Sequence, residues 1–225
     1  GSRSVSAIWL VMALLAACGG VSPDHRSTDE STVHKSSPEA ARPTILLIGT
    51  SITAGYGLSP EDAWSSRLQG KIDSAGLHHL VVNAGVSGET SAGALRRLEW
   101  LLAHQAPAIV VVETGANDGL RGLDLDSLEA NLDAMLTRID RIEPRPVVVV
   151  AAMEAPPNLG SRYANRFRAI FPKLARAHGA MYLPFLLDGV AGNARFNQAD
   201  GIHPNEAGSE IVAENVWATL RETLK

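Results

Sequence analysis

Ser51 lies in Gly49-Thr50-Ser51-Ile52-Thr53-Ala54-Gly55-Tyr56-Gly57, directly after the apolar run Thr44 to Ile48, and near the far end of the chain stands Asp200-Gly201-Ile202-His203-Pro204. A serine hydroxyl is a weak nucleophile until a neighbouring imidazole takes its proton. The imidazole serves only when a carboxylate fixes its tautomer and stabilises its positive form. Asp200 and His203, three residues apart, would share one face if they occupied a helical turn. Glycines at 49, 55 and 57 permit a sharp turn after a buried strand, and a helix that follows would aim its first N–H groups at an oxyanion. These residue types and spacings point to a serine hydrolase. The chain order Ser, Asp, His is that of the α/β-hydrolases, but the Gly-x-Ser-x-Gly elbow of that fold is absent, so a different architecture is expected.

Each residue also has an ordinary structural role. Ser51 suits a turn or a helix cap, Asp200 an Asx turn, His203 a surface position before a helix, and Asn117 the corner of an Asn-Asp-Gly turn. Four separate blocks in one order outweigh those readings taken singly. They are Gly49 to Leu58, then Val82-Asn83-Ala84-Gly85-Val86-Ser87-Gly88-Glu89-Thr90-Ser91, then Gly115-Ala116-Asn117-Asp118-Gly119-Leu120-Arg121-Gly122, and last Asp200 to Asn205. From about Thr44 to the C-terminus the chain resembles the SGNH (GDSL-type) hydrolases, and within them the bacterial thioesterase I/lysophospholipase and arylesterase group. The resemblance implies that Ser51 is the nucleophile, His203 the base and Asp200 its orienting carboxylate. It also implies an oxyanion hole made of the Ser51 and Gly88 backbone N–H groups and the Asn117 side-chain amide. The family's usual aspartate before the nucleophile is Thr50 here, a departure that bears on loop rigidity and substrate preference rather than on the triad. Ala116 stands where close relatives often have glycine, which is tolerable unless that backbone needs positive φ.

Such a site would hydrolyse aryl or short-to-medium acyl esters, acyl thioesters or lysophospholipids, with no metal or organic cofactor required. Leu120, Leu123 and Leu125, with Phe185 and Leu186, are the apolar loop residues expected to make an acyl groove, Leu120, Leu123 and Phe185 being the substrate-binding candidates; ordinary core packing is their alternative role. Arg162, Arg166, Arg168, Lys173 and Arg176 could meet phospholipid headgroups, although a charge run on a helix is usually a solvated face. Within the same superfamily a carbohydrate O-acetylesterase is the alternative enzyme. A different class, a flavin-binding flavodoxin-like protein holding phosphate on Thr50-Ser51-Ile52-Thr53, leaves Asn117, Asp200 and His203 without a role. A nucleotide P-loop is excluded because no Lys-Ser/Thr pair follows Gly55.

Composition narrows the partners. A formal net charge of -4, from 20 Lys+Arg against 24 Asp+Glu, supplies no basic footprint for nucleic acid. The single cysteine, Cys18, excludes an intramolecular disulfide framework and a cysteine-built metal site, and no histidine pair has helical ligand spacing.

The N-terminal region is read as lying outside the folded domain. Gly1-Ser2 looks like an expression scar, and Arg3 precedes an apolar stretch from Val5 to Ala17. Those residues, at 1.5 Å rise, would cover about 20 Å as a helix, short of a bilayer core of about 30 Å, so the stretch reads as a signal-peptide core. Leu15-Ala16-Ala17-Cys18 matches the bacterial lipobox, which implies cleavage before Cys18 and a lipidated anchor at the cell envelope, in the periplasm at the outer membrane; a soluble secreted form is the alternative. Residues 1–18 are thus scar and signal peptide. Residues 19–42 hold almost no large apolar side chains and read as a flexible tether. Residues 43–225 form the hydrolase domain, long enough for a sizeable core.

Within that domain, strands are expected at Thr44 to Ile48, Leu80 to Asn83, Ala108 to Glu113, Val147 to Ala152 and Met181 to Leu183. Their Val/Ile/Leu character suits parallel strands buried on both faces. Helices are expected at Ala63 to Ala75 behind a Ser59-Pro60-Glu61-Asp62 start, and at Ala92 to His104. Further helices are expected from an Asp126 to Glu129 capping box to Ile142, at Arg162 to His178 with a kink at Pro172, and at Asn205 to Leu224. The fold class is α/β: a three-layer α/β/α sandwich, flavodoxin-like, with a five-stranded parallel sheet. All five triad and oxyanion-hole candidates fall at the C-terminal edge of its strands.

Overall fold

The computed structural model describes residues 42–225. Up to residue 41, the segments expected to be signal peptide and tether, Cys18 among them, lie outside the described residues. Five apolar runs make five strands, β1 (Thr44–Gly49), β2 (Leu80–Gly85), β3 (Ile109–Val112), β4 (Val147–Ala151) and β5 (Met181–Leu183). They pair in parallel in the order β2-β1-β3-β4-β5. Branched side chains suit such ladders because both faces are covered, and Ile45 to Ile48 and Ile109 to Val112 are all buried. The edge strand β2 is half-exposed.

The helices are α1 (Ser51–Ala54), α2 (Trp64–Ser74), α3 (Ser91–Gln105), α4 (Ala116–Leu120), α5 (Leu125–Ile139), α6 (Ser161–Ala177) and α7 (Glu206–Leu220). α2 packs on α7, while α3 packs on α5 and α5 on α6. Right-handed crossovers place these two groups on opposite faces of the sheet, which completes the expected three-layer α/β sandwich.

Local differences from the sequence reading have local causes. Ser59 does not start α2: Pro60–Asp62 form a separate tight turn in which Ser59 Oγ donates to Asp62 Oδ2 at 2.6 Å, and extended backbone at Ala63 delays the helix to Trp64. The cap of α5 is Asp124 rather than Asp126, its carboxylate accepting the Ser127 N–H at 2.8 Å. Starting at Leu125 brings Leu125, Leu128 and Leu132 onto one buried face. The helix ends at Ile139, its last core-facing residue, and not at Ile142. Pro172 lies inside α6, which continues to Ala177. α1 and α4 are single turns, too short to leave a periodic signal in the sequence.

Far from the C-terminal sheet edge, His178 joins α6 to α5. Its Nδ1 lies 2.7 Å from Asp140 Oδ2 and its Nε2 2.9 Å from Asp133 Oδ1, and Arg145 also donates to Asp140. Burial works against the imidazolium, but the hydrogen bonds to Asp133 and Asp140 outweigh it and raise the His178 pKa above 6.5. A raised histidine pKa adds stability that is complete below the unfolded-state value and is lost as pH rises through the folded-state value. His178→Ala should therefore cost about 1 kcal/mol in mildly acidic solution, the figure kept small because the carboxylates are partly exposed. The gap to wild type should narrow as pH is raised past the histidine's titration. Denaturant unfolding of both proteins across that pH range measures it, and a gap independent of pH would show that the clamp does not operate.

Candidate active site

β1 is paired on both sides, so the loops after β2, β1 and β3 stand side by side at the sheet's C-terminal edge. That is where the strand order reverses and where open α/β sheets offer a crevice. The loops carry Gly88, Ser51 and Asn117 respectively. Ser51 is the first residue of α1, and Gly55, with φ of +71°, ends that turn in the left-handed conformation that glycine adopts without strain. With only four residues, α1 contributes its first N–H groups rather than a long helix dipole.

His203 arrives from the opposite end of the chain. The loop after β5 leads into α7, whose Val212, Ala213, Val216 and Leu220 are buried. Asn205 caps α7, its side-chain oxygen accepting the Gly208 N–H at 3.0 Å. Lys71 of α2 meets Glu210 and Glu214 of α7 at 2.8 and 3.0 Å, and Ser209 Oγ donates to Asp62 O. Docked this way, α7 brings His203 Nε2 to 2.9 Å from Ser51 Oγ. Gln198 ties the two loops together. Its Nε2 donates to Tyr56 O at 2.7 Å and to Pro204 O at 2.9 Å, and its N–H donates to His203 O at 2.8 Å. The Tyr56 ring lies 4.7 Å from the His203 ring at a 41° tilt. Sequence patterns give neither Tyr56 nor Gln198 a role of its own, since only contact between the distant loops distinguishes them.

Asp200 and His203 meet by a different route from the expected helical turn. The segment is an Asx turn: Asp200 Oδ1 accepts the N–H groups of Ile202 and His203 at 2.9 and 3.0 Å, while Oδ2 lies 2.6 Å from His203 Nδ1. The turn contacts and the histidine contact therefore coexist, one set on each carboxylate oxygen. With Nδ1–H donated to Asp200, Nε2 is left as the acceptor for the Ser51 hydroxyl. The hydrogen bond from the His203 side chain, then those from the His203 and Ile202 N–H groups, lower the Asp200 pKa from 3.8 to about 2.

Gly88 has φ of +76°. No hydrogen bond among the described residues takes up its N–H or that of Ser51. Asn117 is the second residue of α4, and its Nδ2 donates to Glu89 O at 3.0 Å, leaving the second amide hydrogen free to face the crevice. Glu89 is in turn gripped by Arg97 through Nε at 2.8 Å and Nη2 at 2.6 Å. Buried Asp118 accepts from Ser91 N–H and Oγ at 2.8 and 2.6 Å, so the loops after β2 and β3 are joined twice. In the segment Gly115 to Gly122 the positive φ next to Asn117 falls on Gly115, at +101°, and not on Ala116, whose methyl group is accommodated.

The residue before Ser51 is held from beneath. Thr50 N–H lies 2.8 Å from Glu113 Oε2, Thr50 Oγ1 lies 2.9 Å from Glu113 Oε1, and Thr53 Oγ1 lies 2.7 Å from Glu113 Oε2. A Cβ on Gly49 would stand 2.1 Å from Thr53 Oγ1 and 2.6 Å from Glu113 Oε2, so only glycine fits there. The carboxyl that closes the expected strand Ala108 to Glu113 is the one sequence signal of this contact, and hydrophobic period alone gives it no separate role.

The five residues expected to line one acyl groove are not assembled into one. Leu125 and Leu186 belong to the core. Leu123 lines a cleft with Gly122, Leu159, Arg162 and Tyr163, whereas Phe185 lines a separate depression with Pro184, Asp188 and Asn215. The separation follows from sheet order: the loop after β3 and the loop after β5 stand on either side of β4. Leu120 and Leu123 are exposed. Along α6, Arg166, Arg168 and Lys173 pair with Asp126, Glu154 and Glu129, the solvated-face arrangement.

Comparison with known proteins gives a consistent picture. Residues 47–211 match the model of the GDSL-like Lipase/Acylhydrolase family. The chain is 42% identical over 186 residues to Esterase TesA of Pseudomonas aeruginosa, covering 83% of this chain and 92% of that protein. It is 38% identical over 175 residues to the thioesterase 1/protease 1/lysophospholipase L1 of Escherichia coli K12, covering 78% of this chain and 82% of that one. Among solved structures, psychrotrophic esterase EstA from Pseudoalteromonas sp., inhibited by monoethylphosphonate, is similar with a TM-score of 0.76 at 34% identity, covering 80% of this chain and 98% of the other.

The Asx turn generates a direct measurement. Following the Asp200 carboxyl by NMR through acid should place its titration near 2, well below the ordinary 3.8. His203→Ala removes the leading hydrogen bond and should move the midpoint upward. An Asp200 that titrates at the ordinary value in the wild-type protein would show that the pair is not formed in solution.

Proposed function

Since the chain belongs to the GDSL-like lipase/acylhydrolase family, its match running from residue 47 to 211, we propose that it cleaves carboxylic esters through Ser51, His203 and Asp200 by way of an acyl-enzyme. That the chain is an ester hydrolase follows from the family; the residue roles and the substrates are our reading. The observation that carries it is the continuous chain of hydrogen-bonding atoms from Ser51 Oγ to His203 Nε2 at 2.9 Å and from His203 Nδ1 to Asp200 Oδ2 at 2.6 Å. Attack by Ser51 Oγ on the carbonyl carbon passes the hydroxyl proton to Nε2, and Asp200 stabilises the imidazolium that results. Negative charge then develops on the carbonyl oxygen, where the N–H groups of Ser51 and Gly88 and the Asn117 amide act as donors. His203 returns its proton to the leaving group, and water releases the acyl group by the reverse proton route.

Aryl and short-to-medium acyl esters are the proposed substrates, with acyl thioesters and lysophospholipids beside them. The printed activities of the relatives, esterase, thioesterase and lysophospholipase, support that range. Exposed Leu120 and Leu123 flank Arg121, whose guanidinium donates to Gly88 O at 2.9 Å, so an acyl chain leaving the oxyanion site has apolar surface on this loop. The substrate role proposed from the sequence for Phe185 has no such support, because Phe185 lines the other depression. For the N-terminal region we keep the lipoprotein reading: signal peptide to residue 18, anchor at Cys18, tether to the catalytic domain, and a place at the bacterial cell envelope.

Ser51→Ala or His203→Ala should lower turnover of a p-nitrophenyl ester by about six orders of magnitude with the fold intact, because these residues act as one unit. Asn117→Ala should lower kcat by about 100- to 1000-fold with little change in KM. Fluorophosphonate labelling should disappear with Ser51, and labelling that persists in Ser51→Ala would place the nucleophile elsewhere. In a bacterium that processes lipoproteins, metabolic palmitate labelling should be lost in Cys18→Ser. A wild-type protein that takes up no lipid and whose mature N-terminus lies beyond Cys18 would rule the anchor out.

A further inference from the structure

Glu113 is the one ionisable side chain of the β3 segment, 1% exposed, and the proposed reaction gives it no step. We infer that Glu113 is a positioning residue that locks the Ser51 turn by hydrogen bonding as an uncharged carboxyl. The inference rests on reading Ser51 as the nucleophile.

Burial without a cationic partner sets the proton count, and the hydrogen-bond geometry accommodates it. Oε2 stands 2.8 Å from Thr50 N and 2.7 Å from Thr53 Oγ1, two groups that can both donate to it. Oε1 stands 2.9 Å from Thr50 Oγ1, a hydroxyl that can accept. With its proton on Oε1, the carboxyl donates to Thr50 Oγ1 and accepts twice at Oε2, so the carboxyl itself is satisfied without a charge. No lysine or arginine among the described residues forms an ion pair with Glu113; Arg97 of α3, whose Nη2 comes to 3.4 Å from Gly49 O, is committed to Glu89. An unpaired carboxylate in such a place would be costly. Complete burial raises the Glu113 pKa, against the opposing pull of the donors on Thr50 and Thr53.

The consequence for the site is twofold. Thr50 and Thr53 bracket Ser51, so one rigid group beneath the turn sets the direction of the Ser51 N–H and Oγ. An uncharged group also adds no negative charge beside the oxyanion that Ser51 must generate. Thr50 is suited to this partner because its N–H and hydroxyl both reach Glu113, whereas an aspartate there would set a second carboxyl against it.

The test compares wild type with Glu113→Gln, Glu113→Ala, Thr53→Val and Ser51→Ala, using kcat and KM on p-nitrophenyl butyrate, fluorophosphonate labelling rate and thermal unfolding. A glutamine amide reproduces the uncharged pattern, with one acceptor oxygen toward Thr50 N–H and Thr53 and an N–H toward Thr50 Oγ1. Glu113→Gln should hold kcat within about threefold of wild type, Glu113→Ala should lower it about 100-fold with KM little changed, and Thr53→Val about 10-fold. A folded Glu113→Ala protein with wild-type kcat and labelling rate would overturn the positioning role. If Glu113→Ala does not fold, a Thr53→Val protein with wild-type kcat does the same. A Glu113→Gln protein as impaired as the alanine variant would overturn the uncharged state. Activity or labelling that survives in Ser51→Ala would instead remove the nucleophile assignment beneath the inference, a result separate from the others.

Discussion

Everything at the site depends on β1 being paired in parallel on both sides. Because β2 and β3 run alongside it in register, the chain must leave all three strands at the same edge, and the loops carrying Gly88, Ser51 and Asn117 become neighbours. The side chains that weld those strands are ordinary buried isoleucine, leucine and valine. Their hydrophobic burial stabilises the sheet, and the geometry of the polar groups at its edge follows from it.

A sheet edge alone leaves the loops free to move, and carboxyl groups that are buried or nearly so hold them in place. Glu113 fastens the residue before Ser51, Glu89 with Arg97 fastens the loop of Gly88, and Asp118 fastens the start of α3. Each such group costs desolvation and gives little net stability once it is satisfied. What each supplies is direction: a donor or acceptor in a dry setting has few alternative partners, so the backbone it grips has few alternative positions. Removing one partner would leave the other buried and unpaired, which is more damaging than never having had the pair.

His203 is held by a longer lever. It lies 152 residues from Ser51, on a loop that has little regular structure of its own. α7 supplies the anchor, with a buried apolar face and the Lys71 bridges to Glu210 and Glu214. The Asx turn of Asp200 and the double grip of Gln198 then fix the last few residues. Burial and ion pairing at α7 are thus converted into the placement of one imidazole nitrogen.

The sequence alone determined the local features. Strand runs from Thr44, Leu80, Ala108, Val147 and Met181, the five-stranded parallel α/β class, and a helix starting at Asn205 all follow from hydrophobic period and side-chain chemistry within a few residues. The residue types capable of hydrolytic chemistry were legible for the same reason: a serine after a strand and an aspartate and histidine on one turn are short-range patterns. What only the tertiary structure decided was which of these groups meet. Local signals placed the α5 cap at Asp126 instead of Asp124 and read the Asp200 segment as helical, because nearby donors and core contacts select among turns of similar local energy. They grouped Leu123 with Phe185, which β4 keeps apart, and they passed over Glu113, Tyr56 and Gln198, whose partners lie tens of residues or more away. Periodicity and turn chemistry act over a few residues, whereas these contacts arise only after strand order and helix docking have brought remote segments together.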